Sequence, residues 1–180
     1  MSLGDDGHAQ VGSLRALAHP VRLQMLSLLT GAPMSAAEVA RELGLTHANA
    51  SYHLRQLLAA GQLVEAGEET IRGGRAKRYR YDLDVKRTTA PDVPSAALYY
   101  EALASELVRR ARLRTDLGTR GESTDAELWV PVEAWHAALD AVTGAMVALH
   151  RAAVPPRSAN SVRVSATTAL FEMGEQGRTP

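Results

Sequence analysis

From Ser35 to Gly61 the apolar positions recur at helical spacing on both sides of one glycine. Ser35 followed three positions later by Glu38 is a capping-box pattern, in which each side chain satisfies a backbone N–H left open at a helix start. Ala37, Val39, Ala40 and Leu43 fall on the apolar face of that helix. Gly44 predicts its end, because glycine enters a left-handed backbone conformation without steric cost. Leu45 predicts a plug between this helix and the next. Thr46 predicts the cap of a second helix that runs to Gly61. Ala50, Leu54, Leu57 and Leu58 stand at i, i+4, i+7 and i+8, so one side of it is buried. The other side carries His47, Asn49, Ser51, Tyr52, Arg55 and Gln56, with no acid among them. Two short helices around a tight turn predict a helix-turn-helix that offers residues 46–60 to the DNA major groove. Taken without its neighbours, the same stretch also suits two amphipathic helices of any helical domain.

The flanks extend the pattern. Residues 1–10 are rich in Gly and Asp and are expected to be disordered. From Val11, Leu14, Leu17 and Ala18 share a helical face until His19-Pro20 interrupts it, since proline disfavours helix in the residue before it. Pro20 suits the first turn of a new helix. Val21, Leu23, Met25, Leu26, Leu28 and Leu29 are too apolar for a surface helix, which places this one at the centre of the domain. Gly31-Ala32-Pro33 closes it.

After Gly61 the period shortens to two. Leu63–Ala66 predicts a short strand that Gly67 weakens or ends, with Thr70 and Ile71 able to carry it further. Arg72 to Ala76 predicts a basic loop around a glycine pair. The alternation Arg78-Tyr79-Arg80-Tyr81-Asp82-Leu83 predicts a second strand. Between Arg72 and Arg80 there are five basic residues and no acidic one. Such a hairpin directly after a recognition helix predicts a wing, with Arg72, Arg75, Lys77 and Arg78 on phosphates. A merely solvated basic hairpin is the blander alternative.

Lys86 to Pro94 reads as a linker. Ser95 predicts the cap of a helix to about Leu117, stopped by Gly118, with Tyr99, Leu103, Leu107 and Ala111 as its stripe. Arg109, Arg110, Arg112 and Arg114 crowd its last turns, where cations complement the helix dipole. Thr119–Asp125 is a polar loop. Leu128-Trp129-Val130 predicts a short strand, and Pro131 opens a helix to about His150. Val132, Trp135, Leu139, Val142, Met146 and Leu149 are spaced 3, 4, 3, 4 and 3 apart, a heptad seam. It is either intramolecular core or a dimer interface. Val162–Phe171 predicts a strand able to pair with 127–130, and the last nine residues are expected to be loose.

Hydrophobic residues make up 46% of the 180, enough for a core, but a single Phe and two Trp leave Leu, Val and Ala to build it. The formal net charge is zero, so any affinity for nucleic acid depends on how charge is distributed. The absence of cysteine excludes disulfides, thiolate metal sites and cysteine nucleophiles. No run of 18 apolar residues predicts a membrane span. The N-terminus lacks the basic and apolar regions of a signal peptide, so a cytoplasmic location is expected. No phosphate loop, nucleophile elbow, HExxH or paired-carboxylate motif is present, and no enzyme or cofactor is expected.

Residues Leu14 to Leu83 resemble the ArsR-like winged-helix transcription regulators. The segments that carry the resemblance are LRALAHPVRLQMLSLL, AAEVARELGLTHANASYHLRQLLAAG and KRYRYDL. It implies homodimeric binding of double-stranded DNA and repression released by a metal ion or another signal. Ser51, His53 and Leu54 match the recognition-helix signature by position, Leu54 as core. Two departures stand out. Gln62 occupies a usually apolar position, which allows the first wing strand to start one residue late, and the family's thiolate sensor has no counterpart here. His136 and Asp140, at i, i+4, and His150 further along stand where the family's second metal site uses nitrogen and oxygen ligands. A surface His–Asp pair is the favoured reading, and no metal site is assigned.

The expected fold is mostly α with a small β wing: a winged helix-turn-helix domain at 11–88 and a helical extension at 95–175 with one or two short strands. The extension is expected to dimerise and leaves room for a small-molecule effector. The expected function is a homodimeric, sequence-specific regulator, a repressor, with helix 46–60 in the major groove and wing 67–80 on the backbone or minor groove. Its contacts are Thr46, His47, Asn49, Ser51, Tyr52, His53, Arg55, Gln56, Arg72, Arg75, Lys77 and Arg78. A winged-helix module that binds another protein is the alternative.

Overall fold

The computed structural model describes residues 16–71, 74–82, 93–114 and 121–174. The expected disordered stretch 1–10, the pattern from Val11 to Arg15, Arg72, the linker up to Asp92 and the stop at Gly118 lie outside them. Helix α1 spans Pro20–Gly31, with Pro20 at its first position. The His19 Nδ1 accepts from the Val21 N–H at 3.2 Å and caps it. Met25 and Leu29 are fully buried, so α1 is the central helix its sequence predicts.

Strand β1 (Met34–Ser35) leads directly into helix α2 (Ala36–Leu43). Both halves of the capping box form: the Ser35 Oγ accepts from the Glu38 N–H, and the Glu38 carboxylate accepts from the Ser35 N–H at 2.7 Å. Gly44 closes α2 at φ 66, the left-handed conformation that favours glycine. Thr46 then caps helix α3 (His47–Ala59), accepting from the Asn49 N–H at 3.2 Å. Val39 and Ala40 of α2 and Ala50, Leu54 and Leu57 of α3 close over α1. Leu45 packs against the same cluster from the turn. Ala37, expected on the buried face, is exposed, and its neighbour Ala36 turns inward instead. The helix starts at Ala36, and this phase sets Val39, Ala40 and Leu43 inward.

Strand β2 (Val64–Ile71) and strand β3 (Gly74–Arg80) form the hairpin. β2 starts one residue later than expected. The Gln62 N–H still bonds the Leu57 carbonyl at 2.8 Å, and Leu63 turns into the core. Gly67 does not end β2. It sits at φ 96 in a bulge between Glu65 and Glu68, where one extra residue is absorbed. The expected loop 72–76 is mostly strand, because Gly74, Arg75 and Ala76 pair with Ile71, Thr70 and Glu69. β3 also pairs with β1, through Met34↔Tyr79 and Ser35↔Arg78, so the sheet has three antiparallel strands in the order β1-β3-β2. Tyr79 is buried in the core and roots the hairpin there.

Helix α4 (Val93–Ala111) starts two residues before Ser95 and ends six before Leu117. Tyr99 and Leu103 of its expected stripe are half-buried, but the buried face turns away from the rest of that stripe. Leu107 and Ala111 are exposed, while Ala102 and Glu106 are buried. Glu106 is 1% exposed and accepts from Gln24 of α1 at 2.6 Å and from Arg109 at 2.9 Å, with Arg110 at 3.4 Å. Burial pushes its pKa up, but the bonds from Arg109 and Gln24 and the two Arg charges outweigh that and hold it below the ordinary carboxylate value. A charge can be buried here because every side of it is paired.

Helix α5 (Val132–Arg151) follows Pro131 as expected. Near its start the Trp135 Nε1 donates to Glu172 at 3.0 Å, Trp135, Leu139, Val142 and Met146 are half-buried, and its C-terminal end meets the winged domain. The His150 ring lies 6.5 Å from Tyr81, and Arg157, beyond the helix, pairs with Glu42. A side chain at Gly31 would run into the Val154 carbonyl, so glycine there lets the segment after α5 sit against the end of α1. Among the described residues neither 127–130 nor 162–171 lies in a strand, contrary to expectation. A strand needs a partner for its N–H and C=O groups, and among the described residues no ladder joins the two.

Leu57→Ala removes a fully buried side chain and is expected to cost about 2–5 kcal/mol in a urea titration. Ala37→Ser is expected to stay within about 0.5 kcal/mol. A Leu57→Ala loss no greater than that of Ala37→Ser would contradict this core.

Candidate nucleic-acid interface

Helix α3 has one inside and one outside, and the inside is committed. With Ala50, Leu54 and Leu57 buried, His47, Asn49, Tyr52, Arg55 and Gln56 all face solvent. Thr46 is exposed at the cap, and Ser51 is half-buried beside this face. The helix carries no acidic residue, so nothing on this face repels a polyanion. Arg and amide side chains here have the donor and acceptor sets that read guanine and adenine edges.

His53 belongs to a different environment. Its ring lies 4.8 Å from that of His19 and 5.3 Å from Tyr52. Its Nδ1 is buried with no hydrogen-bond partner among the described residues. Burial pushes the pKa of both imidazoles below 6.5, and the charge of Arg22 lowers both further. His53 is therefore a neutral ring wedged between α3 and the start of α1. Arg22 itself lies close enough to Tyr52 for their charges to interact, and burial lowers its pKa. Sequence spacing does not single out Arg22, because it comes from α1 and reaches the α3 surface only in the folded chain.

The described hairpin cations are not free. β2 and β3 pair antiparallel, and the register sets acids of β2 beside bases of β3. Arg75 pairs with Glu68 and is 79% exposed. Lys77 pairs with Glu65 at 2.7 Å, and Arg80 with Asp82 at 3.1 Å. Arg78 is 26% exposed and bonds Glu69 and the Pro33 carbonyl, with Glu38 at 3.4 Å. Arg78 thus ties β3 to the start of α2. The linear run Arg72–Arg80 has no acid, yet five carboxylates lie beside its described bases in space. Exposed pairs of this kind contribute about 0–1 kcal/mol each and can exchange partners. Arg75, Lys77 and Arg80 keep half or more of their side chains in solvent, whereas Arg78 does not.

His136 and Asp140 are exposed on α5, and the His150 Nδ1 contacts the Met146 carbonyl at 2.7 Å. No three His, Asp or Glu side chains gather at one point among the described residues. A cavity of about 480 Å³ between α1 and α4 is lined by Pro20, Gln24, Ser105, Glu106, Arg109 and Arg112. Gln24, Glu106 and Arg109 in its wall are already bonded to one another. No helix of the described residues is long and apolar enough to cross a membrane.

The two depressed imidazoles predict a pH dependence. A group whose folded pKa lies below its unfolded one contributes stability that is present above the unfolded value and lost as pH falls through the folded one. The denaturant midpoint is therefore expected to fall as pH drops below 6.5. His53→Leu is expected to flatten that fall. An unchanged profile in His53→Leu would mean that another group titrates.

A family model described as a helix-turn-helix domain matches residues 17–65, the stretch that holds α1, α2, α3 and the start of β2. A search of curated proteins returned no match. The chain carries a helix-turn-helix domain within a mostly helical fold that has a small β wing.

Proposed function

We propose that the chain is a homodimeric, sequence-specific DNA-binding transcriptional repressor of the cytoplasm, without enzymatic activity. Residues 11–88 form its DNA-binding domain and 95–175 its dimerisation region. The observation that carries this reading is the acid-free, solvent-facing side of α3 on the second helix of a helix-turn-helix. Asn49, Tyr52, Arg55 and Gln56 read base edges in the major groove, while Thr46, His47 and Ser51 steady the helix on the backbone. His53 acts from behind, by holding α3 against α1. Arg72, Arg75 and Lys77 contact phosphates or the minor groove, and Arg78 keeps the wing in place. Two recognition helices on a dimer fit half-sites about 34–36 Å apart.

The neutralised hairpin is the observation that favours a second reading, a winged-helix module that binds protein. Retardation of random duplex at low salt, relieved at high salt, separates the two. No retardation at any salt would leave only the protein-binding module.

Arg55→Ala is expected to relax base preference at one position in a binding-site selection, with a loss of about 1–3 kcal/mol on the best site. An unaltered consensus would remove Arg55 from the readout. Arg75→Ala is expected to weaken binding to all duplexes alike and to lower the salt slope by at most about one. Glu68→Gln, which removes the anion that competes for Arg75, is expected to strengthen binding and steepen the slope. Anisotropy titrations at several salt concentrations measure both. A weaker complex on Glu68→Gln would mean that the pair orders Arg75 rather than masks it.

A further inference from the structure

Two imidazoles meet where α3 rests on α1. The ring of His53, on α3, lies 4.8 Å from that of His19, which precedes α1. The His53 Nδ1 is buried and has no hydrogen-bond partner among the described residues. The His19 Nδ1 accepts from the Val21 N–H and so caps α1. An imidazolium has no acceptor nitrogen, so a charged His19 loses that cap. The surroundings offer no anion in exchange. From the start of α1 the His53 ring faces His19 and Arg22, and from α3 it faces Tyr52 at 5.3 Å. No carboxylate is among the described groups that act on either ring. Burial, and after it the neighbouring basic groups, hold both imidazoles below 6.5.

We propose that His19 and His53 form a proton-operated release for the recognition helix. With both rings neutral, they hold α3 against α1 in its DNA-binding position. With both charged, they repel each other and Arg22, and that part of α3 is pushed off α1. This rests on the DNA-binding role proposed above and gives it a regulator, the proton. His53 is placed to pass the change outward. Tyr52, its neighbour in the chain, lies edge-on to it and is 51% exposed on the face assigned to base readout. Leu54, its other neighbour, is fully buried. A shift of His53 therefore moves a readout residue and disturbs a core residue at once.

The sign of the effect separates this release from ordinary acid behaviour. His47 is exposed on the same face, and a proton on an exposed imidazole there adds a charge that favours phosphates. A proton on Glu68 or Glu65 frees Arg75 or Lys77 from its partner in the hairpin. Both changes tighten a DNA complex in acid. The buried pair weakens it.

Duplex anisotropy at constant ionic strength, from about pH 7.5 to about pH 5.0, tests this alongside hydrogen exchange of the free full-length chain. The wild-type dissociation constant is expected to rise at least about fivefold over that range, since each proton that must leave before binding weakens the complex by up to about tenfold per pH unit. The α3 amides are expected to lose protection before those of α1. His53→Leu removes one proton site, and His19→Asn keeps a capping acceptor that does not titrate. In each variant the acid-induced rise is expected to shrink to less than about twofold. A wild-type complex that holds or tightens in acid overturns the release and leaves the DNA-binding reading standing. A rise that either folded variant retains in full does the same, because another group then titrates. Loss of protection in α1 and α3 together means acid unfolding of the whole domain and also overturns the release. No duplex binding at the higher pH overturns the DNA-binding reading, and the release with it.

Discussion

Leu54 and Leu57 have nowhere to go but the space between α1 and α2, and that fixes the rotation of α3 about its own axis. Both are fully buried, as is Ala50 one turn earlier. Burying a leucine contributes about 1.5–3 kcal/mol, so turning α3 by even a quarter of a revolution would cost several times that. The outward face is therefore whatever the core does not use. Gly44 sets the angle at which α3 leaves α2, and the caps at Ser35 and Thr46 fix where each helix begins. His19 and His53 add a second restraint, since two uncharged rings close the gap between α1 and α3.

The hairpin obeys a different logic. Its bases lie in one strand and its acids mostly in the other, so its charge is arranged rather than accumulated. Antiparallel pairing opposes Glu65, Glu68 and Glu69 to the basic strand, and the bulge at Gly67 sets their register against it. A hairpin built this way does not need a counterion to fold. It keeps Arg78 as an internal tie and leaves Arg75 and Lys77 at the rim, where partners can be traded.

The helix-turn-helix was largely legible in the sequence because its determinants are local. A capping box, a left-handed glycine and an i, i+4, i+7 stripe each act within a few residues. The outward residues of α3 follow from that stripe alone. What stayed hidden depends on contacts distant in the chain. β1 is two residues that read as a loop until β3 arrives beside them. Gly67 reads as a strand end unless the far strand is known to continue past it. Glu106 lies beside the apolar stripe read from the sequence, yet it is buried, because Gln24, 82 residues away in the chain, bonds it. The hairpin ion pairs are likewise invisible to a linear count of charge. The segments 127–130 and 162–171 have strand composition without a strand, since composition states a preference and only a neighbouring backbone can satisfy it.

Three of the described contacts between the segment around the end of α5 and the winged domain lie close together. Tyr81 meets His150, Gly31 meets Val154, and Glu42 meets Arg157. At the other end of α5 Trp135 donates to Glu172, and Phe171 beside Glu172 lies against Tyr100 of α4, so α5 is held at both ends. Twenty residues span about 30 Å between those two anchorages. The length of α5 therefore fixes their spacing, and a one-turn insertion would push one past the other by about 5 Å.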